Sequence, residues 1–104
     1  MAYRHRSEVT VKYGRLGDYL SVVADFNRVA AQRGWSPITV LSPITGRSNR
    51  VVLEILHADL GEFERTLSAF RSDQEARSVW HRTADLVLDD SAVVELLSEI
   101  ELAP

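Results

Sequence analysis

The chain has 104 residues, of which 45% are apolar and 26% are charged, and its formal net charge is -3. These values predict one ordinary globular domain over residues 1–104 and exclude a collagen-like or intrinsically disordered chain. The negative charge disfavours a nucleic-acid partner, and no apolar run approaches the roughly 20 residues that span a bilayer. The chain has no cysteine, which excludes disulfides and thiolate chemistry. We therefore expect a cytoplasmic protein without a membrane or nucleic-acid partner.

The first predicted elements are a strand and a long helix. Residues 8–12 read Glu-Val-Thr-Val-Lys, a strict alternation of polar and apolar residues that predicts a half-buried strand. The basic residues 4–6 before it are interpreted as a solvated start of the chain. From Leu16 the apolar residues recur every three or four positions, which predicts an amphipathic helix. Gly34 stands where the C-terminal cap of this helix is expected.

The middle of the chain predicts two further strands. Residues 35–41 are rich in β-formers, and Pro37 favours an edge position because proline cannot donate to a ladder. Residues 42–48 form a turn-rich connection. Residues 50–57 are the strongest strand in the chain. One face is wholly apolar, and the other carries a carboxylate between two aliphatic residues; the two sets are Val51, Leu53 and Ile55, and Val52, Glu54 and Leu56.

Two capping boxes predict the second helical region. Asp59 with Glu62 has the spacing of one box, and Ser72 with Glu75 has that of another. The helix that follows the second box is expected to end at residues 89–90.

The last segment, residues 92–101, is ambiguous because its periodicity favours a helix but also fits a strand with one break. We interpret it as a strand, since the order β-α-β-β-α then becomes a ferredoxin-like α+β domain, βαββαβ, with a four-stranded antiparallel sheet. Right-handed crossovers place both helical regions on one face of the sheet. The other face is then uncovered and partly apolar, so we expect a homodimer that covers it.

Residues 9–19, Val-Thr-Val-Lys-Tyr-Gly-Arg-Leu-Gly-Asp-Tyr, resemble the strand–turn–helix opening of dimeric α/β-barrel proteins, in particular the NIPSNAP and antibiotic-biosynthesis-monooxygenase-like groups. Tyr13 stands where those groups commonly have proline. Further similar positions lie in their hairpin strand and second helix: Gly46, Asn49, residues 51–55, Leu60 and Phe63.

The resemblance implies two sheets that face each other across a barrel whose lumen holds a small organic ligand. It also leaves two functions open. One is NIPSNAP-like binding of a small, largely apolar molecule without established catalysis. The other is cofactor-independent oxygenation, or cyclisation of a polyketide-like substrate, in secondary metabolism. An RNA-recognition module of the same topology is set aside, because residues 50–57 lack the aromatic side chains that stack on bases. A regulatory amino-acid-binding domain of the same topology stays open as an alternative, although such domains are usually fused to an enzyme.

Glu54 is the first candidate catalytic residue. If the apolar face of residues 50–57 is core, Glu54 points into the dimer cavity, near Thr10 and Lys12 of the neighbouring strand. A carboxylate removed from water there can act as a general base. The alternative is a structural Glu54–Lys12 pair that fixes the dimer register. Thr10 and Lys12 are candidate ligand-binding residues by the same argument.

His57 is the second candidate catalytic residue, as a base or, alternatively, as a solvated residue at the end of its strand. Trp35 and Trp80 are candidate ligand contacts, at the barrel mouth and on the helix; for both the alternative is core packing. The three histidines share no metal-ligand spacing, so no metal is predicted. The chain carries no phosphate loop or dinucleotide fingerprint, so no nucleotide cofactor is predicted either.

Overall fold

The computed structural model describes residues 2–103. Its elements in chain order are β1 Tyr3–Thr10, α1 Leu16–Arg33, β2 Thr39–Leu41, β3 Arg50–His57, α2 Leu60–Ser72, α3 Gln74–His81 and β4 Val93–Ser98. The strands form one antiparallel sheet in the order β2-β3-β1-β4. This is the predicted ferredoxin-like α+β fold, with the second helical region divided into α2 and α3. Over residues 2–103, no helix has both the length and the apolar character needed to cross a membrane.

Strand β1 begins earlier than predicted. Arg4, His5 and Arg6 lie within it and pair with Leu56, Ile55 and Glu54 of β3, so their interpretation as a solvated start is wrong. The alternation of Val9 and Val11 extends backward through Ser7 to His5, and these side chains therefore share the face that the helices cover. The basic residues at Arg4 and Arg6 consequently point to the opposite face of a central strand.

Strand β2 is shorter than the predicted 35–41, because side-chain and cap contacts hold the residues before it. The backbone N–H of Trp35 donates to the carbonyl of Ala30 at the end of α1, at 2.9 Å. The side chain of Asn27 accepts from the N–H of Ile38 at 2.8 Å and donates to its carbonyl at 2.9 Å. The amide of Asn27 thus takes the place of a neighbouring strand at Ile38, and pairing with β3 starts only at Thr39.

The helix ends follow the predicted capping chemistry with one shift. Gly34 caps α1 in the left-handed region, with φ 74°. Asp59 caps α2 by accepting from the N–H of Glu62 at 2.7 Å. The predicted cap of α3 at Ser72 is wrong by one residue, because the carboxylate of Asp73 accepts from the N–H of Ala76 at 2.9 Å. Asp73 also ends α2, so the two helices meet at one residue.

The segment after α3 returns to the sheet. The helix ends at His81 rather than at residues 89–90, and Val87 then forms an isolated antiparallel bridge with Val11. Residues 93–98 pair with β1 from Glu8↔Val93 to Tyr3↔Ser98. The strand interpretation of the last segment is confirmed. Its main-chain groups complete the ladder of β1, and this pairing favours a strand more than the side-chain period favours a helix.

The predicted division between the two faces of the sheet is also confirmed. Leu53 is buried, with 4% of its surface exposed, and it packs with Val9, Val51 and the inner residues of α1. Leu56, on the other face of the same strand, is 49% exposed. All three helices lie over one face, and the opposite face, hereafter the open face, is covered by none of them.

We expect Leu53→Ala to lower the free energy of unfolding by about 2–5 kcal/mol, because it leaves a cavity in the core. Leu56→Ala on the same strand is the matched control and should change the unfolding of the subunit by less than about 1 kcal/mol. Urea denaturation followed by circular dichroism measures both. A neutral Leu53→Ala beside an unfolding Leu56→Ala would mean that the two faces are inverted.

Candidate functional site

A cavity of about 280 Å³ lies between the helix-covered face of the sheet and α2. Its walls come from β1, β3, the loop before β2, α2, α3, and one residue each of α1 and β4. Most lining side chains are aliphatic or aromatic, and five are hydroxyls or imidazoles; the lining residues are His5, Ser7, Phe26, Trp35, Ser36, Ile38, Leu53, Ile55, His57, Phe63, Thr66, Leu67, Phe70, Trp80 and Val94. The cavity is therefore an apolar pocket with a few polar groups, the usual character of a small-molecule site.

The cavity brings together three of the six residues that the sequence singled out. His57, Trp35 and Trp80 line it, whereas Glu54, Thr10 and Lys12 do not. The ligand cavity was predicted on the open face, but this cavity lies on the face that the helices cover. The catalytic and binding roles of all six residues stay predictions.

The expected neighbourhood of Glu54 is wrong, because the strand register places it opposite Arg6 while Thr10 lies opposite Arg50. Glu54 Oε1 is 3.4 Å from Arg4 Nη1, and Glu54 Oε2 is 3.8 Å from Arg6 Nη1. Its side chain is only 17% exposed. Two guanidinium groups of β1 thus take the place predicted for Lys12, and they compensate the charge of Glu54 on the open face.

His57 is buried, with 2% of its surface exposed, so its interpretation as a solvated turn residue is wrong. It continues the inward alternation of Val51, Leu53 and Ile55, and α2 begins immediately afterwards and covers it. The ring of Phe63 meets the imidazole edge-on, with the ring centroids 5.5 Å apart. Within residues 2–103, His57 Nδ1 has no hydrogen-bond partner.

Glu62 stands beside that nitrogen. Its Oε1 lies 3.6 Å from His57 Nδ1, just beyond hydrogen-bond distance. The carboxylate is held from two sides, since the backbone N–H of Ala58 donates to Oε2 at 3.1 Å and the hydroxyl of Ser36 donates to Oε1 at 3.3 Å. The first of these bonds comes from the residue before the N-cap Asp59, so Glu62 reaches back one residue further than in the standard capping box. The contacts at the start of α2 therefore also hold a carboxylate next to the buried imidazole.

His5 is a second imidazole in the cavity wall, on the strand next to His57. Its ring meets Phe63 edge-on with a centroid distance of 5.3 Å, so Phe63 contacts both histidines. Burial lowers the pKa of His5 below its usual value of 6.5, and the charge of a protonated His57 lowers it further. The environment of the cavity wall therefore favours the neutral form of the His5 imidazole.

Trp35 and Trp80 form the aromatic end of the cavity. Both pack against Phe26 of α1, with ring centroids 6.5 Å and 5.3 Å apart. Both are partly buried and contact the core cluster. Each indole therefore both packs on the core and lines the cavity, so the two readings of these residues do not exclude each other.

Sequence reasoning missed several cavity residues, although the signal for some was present. Extending the inward alternation of Val9 and Val11 backward along β1 points to Ser7 and His5. Extending that of β3 forward points to His57 as an inward residue. Phe63, Leu67 and Phe70 follow the three- and four-residue spacing of the apolar stripe of α2. Thr66 carried no such signal, because it is a polar residue beside that stripe.

The described part of the chain, residues 2–103, holds no group of three or more His, Cys, Asp and Glu side chains placed to bind a metal ion.

Comparison with solved structures places the fold among known proteins. A NIPSNAP family protein from Agrobacterium tumefaciens matches with a TM-score of 0.78 at 17% identity, over 100% of this chain and 98% of that chain. An uncharacterized NIPSNAP domain protein from Burkholderia xenovorans matches with a TM-score of 0.77 at 13% identity, over 100% and 99%. A variant of SnoaB, a cofactor-independent oxygenase from Streptomyces nogalater, matches with a TM-score of 0.72 at 19% identity, over 99% and 97%.

These likenesses confirm the fold and the structural resemblance that residues 9–19 indicated. No protein-family profile matches the sequence, and no curated protein matches it.

We expect the stability of the protein to fall as the pH drops below 6.5, the value at which an unfolded His5 titrates. The folded state has the lower pKa, so the unfolded chain binds the proton first and acid favours unfolding. The contribution of His5 to the free energy of unfolding is fully present above pH 6.5. It decreases as the pH falls from 6.5 to the lower pKa of His5 in the folded state. Urea denaturation at pH 7.5 and 5.5 measures the effect.

His5→Gln should reduce this loss, whereas His81→Gln on the exposed end of α3 should leave it unchanged. An equal acid sensitivity in the wild-type chain and in His5→Gln would show that another group is responsible.

Proposed function

We propose that the protein binds a small, largely apolar organic molecule in the cavity between the sheet and α2. The observation that carries the proposal is the cavity itself, with a volume of about 280 Å³ and a wall of aromatic and aliphatic side chains. Small-molecule pockets usually measure about 300–1,000 Å³, so this one suits a ligand of one or two rings. Burial of such a ligand against Trp35, Phe63 and Trp80 supplies the favourable free energy.

The polar groups of the wall supply orientation. They are the imidazoles of His5 and His57 and the hydroxyls of Ser7, Ser36 and Thr66. Each can form a hydrogen bond with a ligand without adding a fixed charge. This pattern, apolar area with a few convergent polar groups, is the one that small-molecule sites share.

We further propose that the chain forms a homodimer through the open face and acts in the cytoplasm. The open face presents Leu41, Leu56 and Leu97, which are 44%, 49% and 40% exposed. Strand β4 at the sheet edge is exposed along its whole length. The charge of Glu54 on this face is compensated by its pairs with Arg4 and Arg6, which lowers the cost of covering it. A second copy is the partner that the resemblance to dimeric α/β barrels implies.

A second candidate function is catalysis without a cofactor, either oxygenation or polyketide-type cyclisation. The observation that favours it is the buried imidazole of His57 in the cavity wall, with the carboxylate of Glu62 beside it. Such a pair can remove a proton from a phenol or an acidic carbon. In the oxygenation, a substrate CH₂ group and O₂ give a carbonyl and water, so the substrate supplies all the electrons. Because Glu54 lies on the other face, His57 is the better placed base.

Ligand binding is tested by filling the cavity from one helix. Thr66→Phe places a ring in the cavity, whereas Ser68→Phe on the same helix adds the same ring at an exposed position. Calorimetric titration with naphthalene should show binding in the wild-type chain and in Ser68→Phe, and at least about tenfold weaker binding in Thr66→Phe. Undiminished binding in a folded Thr66→Phe would place the ligand elsewhere.

The natural ligand and the choice between binding and catalysis need the protein from its own host. Native mass spectrometry of that protein should show a mass above that of the chain pair, which identifies the retained molecule. Oxygen uptake in the presence of that molecule, and its loss in His57→Phe, would favour the oxygenase. Retention of the molecule without turnover favours binding.

The dimer is tested by light scattering of the purified protein at micromolar concentration. We expect a mass of about twice the chain mass of 11.7 kDa. Leu56→Arg should shift the protein toward the monomer, because it places a third positive charge beside Arg4 and Arg6 and removes apolar area. A monomer that persists at high concentration in the wild-type chain would contradict the dimer.

A further inference from the structure

The buried imidazole of His57 has one nitrogen that its surroundings leave unbonded. Within residues 2–103, Nδ1 has no hydrogen-bond partner although the residue is 2% exposed. An unpaired buried polar atom is unfavourable, and buried polar groups in proteins are nearly always hydrogen-bonded. The unbonded Nδ1 of His57 therefore points to a partner that comes within hydrogen-bond distance when a ligand binds or when the site closes slightly.

Glu62 is that partner for Nδ1. Its carboxylate is 3.6 Å away, and hydrogen bonds of this kind are often long in the free state and shorten in the complex. The bonds from Ala58 and Ser36 prevent the carboxylate from turning away. Ser36 is also a lining residue of the cavity, so a ligand that contacts Ser36 can press Glu62 toward His57.

This arrangement selects one tautomer of His57. A carboxylate only accepts hydrogen bonds, so the nitrogen that faces it must carry the proton. In the neutral ring the other nitrogen, Nε2, is then an acceptor. The same logic orients the histidine of a hydrolase triad, where a carboxylate on one nitrogen prepares the other to accept a proton.

The absence of charged side chains from the cavity wall restricts the class of ligand further. Among the described residues that line the cavity, none is Lys, Arg, Asp or Glu. His5 is also disfavoured as a cation, because burial and the neighbouring His57 both oppose its protonation. A ligand carboxylate or phosphate would be buried there without a counter-charge, which is strongly unfavourable.

From this geometry we propose that Glu62 is a positioning residue that holds the proton of His57 on Nδ1, so that the cavity selects a neutral aromatic ligand with a hydroxyl group that donates to Nε2. The proposal rests on the proposed function, since it names the ligand class of the same cavity. It holds for a binding protein and for a catalyst, because a bound O–H on Nε2 is also the start of a proton transfer.

Three probes of one shape test the ligand class. 1-Naphthol has a hydroxyl donor, 1-methoxynaphthalene has the same oxygen without a donor, and 1-naphthoate carries a negative charge. By calorimetric titration at pH 7.5, the wild-type chain should bind 1-naphthol about 3–10-fold more tightly than 1-methoxynaphthalene, the usual effect of one hydrogen bond. It should not bind 1-naphthoate measurably.

Two variants with the same change of charge test the role of Glu62. Glu62→Gln removes the charge but keeps a residue that completes capping boxes. Asp59→Asn removes a charge at the same helix end without a contact to His57, and asparagine is an equally good N-cap. The preference for 1-naphthol should fall in Glu62→Gln and stay in Asp59→Asn. It should vanish in His57→Phe, where 1-methoxynaphthalene still binds.

The tautomer itself is read from the ¹⁵N chemical shifts of the His57 ring. In the wild-type chain the proton should be on Nδ1, and in Glu62→Gln it should be shared between both nitrogens, because the amide can donate as well as accept. A purely structural role of Glu62 would not move these shifts. If Glu62→Gln fails to fold, the wild-type tautomer and the ligand ratio decide by themselves.

The outcomes separate the two proposals. Equal binding of 1-naphthol and 1-methoxynaphthalene, tight binding of 1-naphthoate, or a wild-type proton on Nε2 each overturns this inference and leaves the apolar binding cavity standing. Absence of binding of naphthalene and both neutral derivatives to the folded wild-type protein overturns the proposed function, and this inference with it.

Discussion

The antiparallel pairing of β1 with β3 is the constraint on which the rest of the molecule depends. These two strands occupy the centre of the sheet, and their register sets Ser7 opposite Leu53 and Arg6 opposite Glu54. Because side chains alternate between faces, a shift of one residue would send every inward side chain outward. The same register places the apolar core under α1, both imidazoles in the cavity wall, and the ion pairs on the open face.

The start of α2 joins folding to the site. Asp59 accepts from the N–H of Glu62, which the helix leaves unpaired, and the carboxylate of Glu62 reaches back to the N–H of Ala58. These residues follow directly after β3, so Glu62 comes to lie beside His57. A carboxylate that serves the helix end in any case thus sits next to the imidazole without the burial of an additional charge.

The sheet separates the apolar cavity from the ion pairs of Glu54, although both were predicted on one face. The helix-covered face holds an uncharged cavity, and the open face holds the compensated charges of Arg4, Arg6 and Glu54 among exposed leucines. An apolar ligand favours the first environment and a second protein surface favours the other. Glu54 therefore belongs to the face proposed for association, and His57 belongs to the face proposed for ligand binding.

The sequence by itself determined the element order, the bounds of β3, the caps at Gly34 and Asp59, and the inward face of the central strands, because these follow from local propensities and two-residue alternation. The last strand was predicted from the element order against its helical period, and its ladder with β1 supplies the physical reason. The tertiary structure alone decided the early end of α3. It also decided which charge meets Glu54, since a strand register follows from pairing across the chain rather than from neighbouring residues. The tertiary structure alone decided the cavity as well. Its wall joins β1, β3, α2 and two tryptophans far apart in sequence, and only the packing of helices on the sheet brings them together.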